Sequence, residues 1–154
     1  MEKALSMERD VYSGRSKLHG EEHPQTLLAA NNYASGLLDL QCFEEAKALL
    51  RKMIPVAQRV LGGGHDIPLK MRWNYAATLR DDEGATLDDL REAVTTLEET
   101  ERIARRVFGG SHPLTRGIEW DLRRSREVLS ARDGSSLSEA LAAMTPQDAQ
   151  DPSS

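Results

Sequence analysis

The chain has 154 residues, 39% of them hydrophobic and 29% charged, with a formal net charge of -5. That balance predicts a folded globular domain rather than global disorder. It argues against duplex nucleic acid, whose protein partners carry a basic footprint. The single cysteine, Cys42, excludes an intrachain disulfide and suits a reducing compartment. No apolar run approaches the roughly 20 residues that span a bilayer. Met1-Glu2-Lys3-Ala4-Leu5 opens into a charged amphipathic pattern rather than an apolar leader, so a cytoplasmic location is expected.

The apolar spacing is helical along the chain. Ala4, Met7, Val11 and Leu18 give a weak helical pattern over 3–19. Leu27, Ala30, Ala34, Leu37 and Leu38 predict a helix over 24–40, with Pro24 suited to its first position. Ala46, Leu49, Leu50, Met53, Ala57 and Val60 predict a partner over 44–61, inside which Pro55 should kink or shorten the helix. A second pair is expected over 67–80 and 87–108, the latter on Leu90, Ala93, Leu97, Ala104 and Val107. A terminal helix is expected over 113–131, with Pro113 at its start. After Arg132, Asp133-Gly134-Ser135-Ser136 reads as a break, and Ser136-Leu137-Ser138-Glu139 as a capping box before Ala140–Met144. Residues 145–154 are polar, contain Pro146 and Pro152, and read as disordered. The expected organisation is therefore a helical domain over 1–132 and a tail over 133–154 with a short helix.

An internal repeat underlies these elements. Leu18-His19-Gly20-Glu21-Glu22-His23-Pro24 resembles Val60-Leu61-Gly62-Gly63-Gly64-His65-Asp66 and Val107-Phe108-Gly109-Gly110-Ser111-His112-Pro113. The histidines lie 42 residues apart (His23 to His65) and then 47 apart (His65 to His112). Ala4, Ala46 and Ala93 stand at one fixed offset before them, and Gly20, Gly62 and Gly109 at another. Asn31, Trp73 and Trp120 share an offset after them, as do Tyr33, Tyr75 and Leu122. The extra five residues of the second unit fall within Arg80–Asp89, a polar stretch that reads as a lengthened surface loop, mobile and dispensable over 81–87.

Ala34 and Ala46, with Tyr33 before and Phe43 between, give the small residues and aromatic that close helix stacking needs. This pattern resembles the tetratricopeptide repeat. The Gly-x-x-His-Pro linker and Asn31-Asn32-Tyr33-Ala34 are similar specifically to the kinesin light chain type. The resemblance covers about residues 1–130 and implies an all-α fold, an alpha-alpha superhelix of about two and a half helix-pair repeats. Arg123 replaces the small residue in the last helix, which suits a solvent-facing cap. In such repeats the first helices line a concave groove for extended peptide, and an asparagine there bonds the peptide backbone. The resemblance carries that role to Asn32 and Asn74, with Asp121 at the matching place in the last helix. The same face would hold Leu28, Ser35, Lys70, Ala77, Arg80 and Arg124, of which Lys70, Arg80 and Arg124 would favour acidic ligands. Trp73 and Trp120 share one position that serves either packing between units or the groove itself.

Other chemistry is weaker. His19-Gly20-Glu21-Glu22-His23 fits a zinc-peptidase spacing, but metal chelation needs both histidines on one helix face. Its alignment with the two later linkers makes it a turn before a helix-start histidine. Gly62-Gly63-Gly64 has no following Lys-Ser/Thr and follows no strand, so it reads as a turn rather than a phosphate loop. Cys42 lies beside Phe43 with no basic neighbour and reads as a packing residue. Arg116, Arg123, Arg124 and Arg126 interleave with Glu119, Asp121 and Glu127, as on a solvated face. The expected function is a non-enzymatic adaptor that binds a protein or peptide, without cofactor or metal, nucleic acid or membrane. The alternative is a structural piece that self-associates through exposed solenoid ends, because the first helix has no helix before it to pair with.

Overall fold

The computed structural model describes residues 2–148, with the side chains of 135–137 and 145–148 set aside. Six α-helices make up the described chain: α1 (Glu2–His19), α2 (Pro24–Asp39), α3 (Phe43–Leu61), α4 (Asp66–Asp81), α5 (Leu87–Phe108) and α6 (Pro113–Asp148). The fold is an all-α helical-repeat solenoid in which each helix packs on the next. The backbone of α4 also approaches those of α2 and α6 directly, whereas α1, α3 and α5 do not approach one another. The closer-spaced layer is the inner one, so α2, α4 and α6 line the inside of the curve.

The repeated glycines and histidines have a local physical role. Gly20, Gly62 and Gly109 end α1, α3 and α5 at φ of 84°, 90° and 89°, a conformation that side-chain-bearing residues rarely adopt. Three residues later each histidine caps the next helix. The backbone N–H of Gln25 donates to Nδ1 of His23 at 3.1 Å, that of Ile67 to His65 at 3.2 Å, and that of Leu114 to His112 at 3.1 Å. Each bond satisfies one of the orphan donors of a helix N-terminus. Pro24 and Pro113 follow the cap, where no donor is lost to them.

Part of the apolar periodicity becomes core: Ala34, Ala46, Ala76 and Ala93 are all 0% exposed, as are Leu27, Met53, Leu69 and Leu97, whereas Met7, Val11, Leu18, Val60 and Val107 of the same patterns are exposed. Small side chains at the four alanine places let the paired helices approach without a void. On the outer side, Tyr75 ties α4 to both neighbours. Its hydroxyl accepts from Arg51 Nε at 3.1 Å and donates to Glu92 Oε1 at 2.9 Å. Burial, opposed by Arg51 and reinforced by Glu92, raises its pKa above the ordinary tyrosine value.

Of the kink or shortening expected from Pro55, the shortening does not occur: Pro55 lies inside α3 on an exposed position. Two further expectations are corrected. The segment after Arg80 is not a free loop. Relative to the first unit, the connection is two residues longer and α5 is three residues longer than α3, so most of the insertion is an extra turn of helix. Within the connection, Ala85 is buried, its carbonyl accepts from the Arg132 guanidinium at 2.6 Å, and Thr86 caps α5. Finally, no break occurs at Asp133–Ser136, so Ser136–Glu139 lie within a helix rather than capping one. α6 runs on to Asp148, because one glycine in a helix costs only about 1 kcal/mol. The expected disorder over 145–154 meets helix through Asp148, and 149–154 lie outside the described residues.

Candidate partner-binding surface

The six groove candidates occupy different environments on the inner layer. Asn32 is exposed on α2, beside Leu28. Asn74, its counterpart on α4, is half-buried. Its amide nitrogen donates to Asn31 Oδ1 at 3.1 Å and to Ser35 Oγ at 3.0 Å, both on α2. Asp121, the third counterpart, is buried between α4 and α6. The row that begins as an open carboxamide therefore sinks into the protein along the array.

Trp73 and Arg80 are spent on the joint between α4 and α6. The Trp73 indole N–H donates to Asp121, and the six-membered edge of its ring comes so close to Gly117 that an added Cβ there would clash with it. The Arg80 side chain, 5% exposed, reaches Asp121 Oδ1 at 3.0 Å, Asp81 Oδ1 at 2.9 Å and Ser125 Oγ at 3.1 Å. Burial opposes its charge, but Asp81 and Asp121 outweigh that and hold it more firmly protonated than an ordinary arginine. It faces its partners rather than a ligand.

Lys70 and Arg124 do reach solvent. Lys70 pairs with Asp66 at 3.4 Å one turn earlier, an exposed pair of small energy. Arg124 lies 4.8 Å from the ring centre of Trp120, which is 57% exposed. The two tryptophans that share a repeat position thus divide the two roles open to them: Trp73 packs between units and Trp120 stands on the outer end. Lys70 also borders a hollow of about 420 Å3 with His65, Val107, Phe108, His112 and Leu114.

His19 and His23 do not share a helix. One ends α1 and the other caps α2, with their rings stacked at 4.4 Å. The zinc-peptidase spacing therefore spans a turn. Cys42 is half-buried ahead of α3, its Sγ 3.8 Å from the Leu40 carbonyl.

Sequence reasoning did not find the polar joints. Asn31, Ser35, Gly117 and Ser125 support them, and the signal that would have found them is the repeat offset itself. The residue eight after one histidine bonds the residue nine after the next, as Asn31 to Asn74 and Trp73 to Asp121.

Residues 26–66 match the tetratricopeptide repeat family. The matched stretch is α2, α3 and the linker to α4, the unit whose spacing is most regular. No curated protein matches the chain. Tetratricopeptide repeats generally mediate protein–protein interaction on a non-enzymatic scaffold, and none of the described helices is long and apolar enough to cross a membrane.

Proposed function

We propose that this protein is an adaptor whose inner face, built on α2, α4 and α6, holds an extended peptide or partner protein. The observation that carries the reading is what remains exposed once the inter-helix bonds are made: Leu28 and Asn32 on α2, Lys70 on α4 and Arg124 on α6. An apolar anchor, a carboxamide and two cations suit recognition and form no catalytic set. The carboxamide of Asn32 can both donate to and accept from a peptide main chain. Asn74, with its nitrogen engaged, has its carbonyl oxygen to offer. The kinesin light chain-like subtype belongs to this reading, supported by the Gly-x-x-His-Pro linker and Asn31-Asn32-Tyr33-Ala34. A preference for acidic ligands rests on Lys70 and Arg124 alone, since Arg80 is neutralised by Asp81 and Asp121.

The test is fluorescence anisotropy with a panel of labelled acidic, tryptophan-containing peptides, against wild type, Asn32→Ala and Lys70→Ala. Loss of the Asn32 bond should weaken binding by about 0.5–1.5 kcal/mol. Added salt should weaken it further, because exposed charges are screened beyond about 8–10 Å. Equal affinities for all three proteins at both salt concentrations would place any binding on another surface.

A further inference from the structure

The two ends of the described helix array carry complementary features. α1 contains no buried residue, although it packs along α2. Between the two helices runs a groove of about 340 Å3, continued by a hollow of about 200 Å3. Met7, Val11, Leu28 and Ala29 form its apolar lining, and Met7 is 63% exposed. Glu8, Asn32 and Arg15 supply its polar edge. In the next unit the corresponding place beside Asn74 is filled by α2 itself. Beside Asn32, among the described residues, no helix lies on that side.

At the other end, α6 continues past the body of the solenoid. Every residue from Ser130 to Met144 whose exposure is described is exposed. Leu141 and Met144, 66% and 67% exposed, stand three residues apart beside Ala140 and Ala143. Apolar residues three and four apart share one helix face, which is the pattern by which amphipathic helices enter grooves. A helical stretch showing its apolar face to water gains by burying it, at about 25 cal/mol per Å2.

We propose that the α1–α2 groove of one copy of this protein holds the α6 extension, around residues 140–144, of a second copy. This goes beyond peptide binding on the inner face: the groove shares Leu28 and Asn32 with that face, but its other wall is Met7 and Val11 of α1. Charge favours the pairing. Residues 133–148 carry Asp133, Glu139 and Asp148 and no Lys or Arg, while α1 carries Lys3, Arg9, Arg15 and Lys17 against Glu2, Glu8 and Asp10. The contact has to be between copies. α1 and α6 do not touch, and α6 is one unbroken helix of 36 residues, so its far end cannot fold back on its own α1. A helix of one copy in the groove of the next associates copies as concentration rises, into a closed ring or an open array according to the rotation between them.

Complementation in trans tests this on the full chain. Met7→Asp/Val11→Asp disables the groove, and Leu141→Asp/Met144→Asp disables the helix. All four positions are exposed, so circular dichroism should show both proteins folded as wild type. In light scattering, the wild-type mass should rise with concentration and each variant should stay monomeric. An equimolar mixture of the two variants should form a species that stops at dimer mass, since it holds one intact groove and one intact helix. A monomeric wild type at its highest soluble concentration would overturn the proposal. So would a mass increase that persists in either variant, or a mixture that stays monomeric.

Discussion

The joint between α2 and α4 and the joint between α4 and α6 occupy the same repeat positions with opposite chemistry. In the first, neutral groups meet: Asn74 bridges Asn31 and Ser35, and Asn74 and Ser35 reach solvent while Asn31 is buried. In the second, an indole and a guanidinium converge on the buried carboxylate of Asp121, with Gly117 making room for the ring. The repeat therefore specifies where one first helix grips the next, and leaves open what grips. The energetic stakes differ accordingly. A half-buried amide that loses its partner can turn to water, whereas a buried ion cannot.

The largest effect should follow from Asp121→Ala. It leaves Arg80 buried with only Asp81 opposite, and the Trp73 N–H without an acceptor. Removing one partner of a buried pair costs about 3–5 kcal/mol. Asp81 should hold the loss to the lower part of that range. Urea unfolding checks it, and a loss no larger than that of Asn74→Ala would show that burial does not separate the two joints. Next comes Gly117→Ala. The Trp73 ring is rigid and the new Cβ would meet it at 2.4 Å, so ring or helix must shift. Overpacking of this kind costs about 1–3 kcal/mol. The double variant Trp73→Leu/Gly117→Ala should cost less than the two single changes added together, a coupling that a double-mutant cycle measures.

These joints mark the limit of what the sequence shows. Helix count, pairing and the buried alanines follow from a 3.6-residue period and a fixed offset from the histidines, which are strong local signals. The caps made by His23, His65 and His112 were visible only as a repeated residue, since histidine is not a usual capping side chain. The fate of Arg80 was not visible at all. An arginine on the groove-facing offset reads as a ligand contact unless one knows that Asp121 and Ser125, some forty residues away, close over it. The extended α6 was hidden for another reason: Gly134 and its serine neighbours have weak helix propensity, and weak propensity is not a stop signal without a cap.

Asn74→Ala should be milder, about 0.5–1.5 kcal/mol, because it removes neutral hydrogen bonds rather than an ion's partner: of the groups left behind, Ser35 is partly hydrated and Asn31, though buried, is uncharged. Replacing it with Asp sharpens the comparison. The new carboxylate would face Asn31 and Ser35 with no cation there, so it imitates Asp121 without Arg80. If Asn74→Asp were as stable as wild type, the identity of the group at this offset would matter only where a charge partner is buried with it.

The smallest effect lies at the starts of the second helices, where the same contrast recurs. α3 begins at Cys42 with no side-chain cap, while α5 begins with a reciprocal box: the Asp89 N–H donates to Thr86 Oγ1 at 3.1 Å and the Thr86 N–H donates to Asp89 Oδ2 at 3.0 Å. The backbone bond from Thr86 holds the Asp89 carboxyl below the ordinary carboxylate value, although burial works the other way. A folded-state pKa below the unfolded one means that the ionised box stabilises α5 above the unfolded value and loses that contribution as pH falls through the folded one. Asp89→Asn removes the titration and keeps a side-chain acceptor. At neutral pH it should cost only about 0.3–1 kcal/mol, the usual worth of a charge at a helix N-terminus near the surface. The gap in melting temperature between wild type and Asp89→Asn should narrow as the pH drops below the ordinary carboxylate range. A gap that stayed constant down to full protonation would mean that the asparagine breaks α5 for reasons other than charge, and that the two helix starts differ in geometry alone.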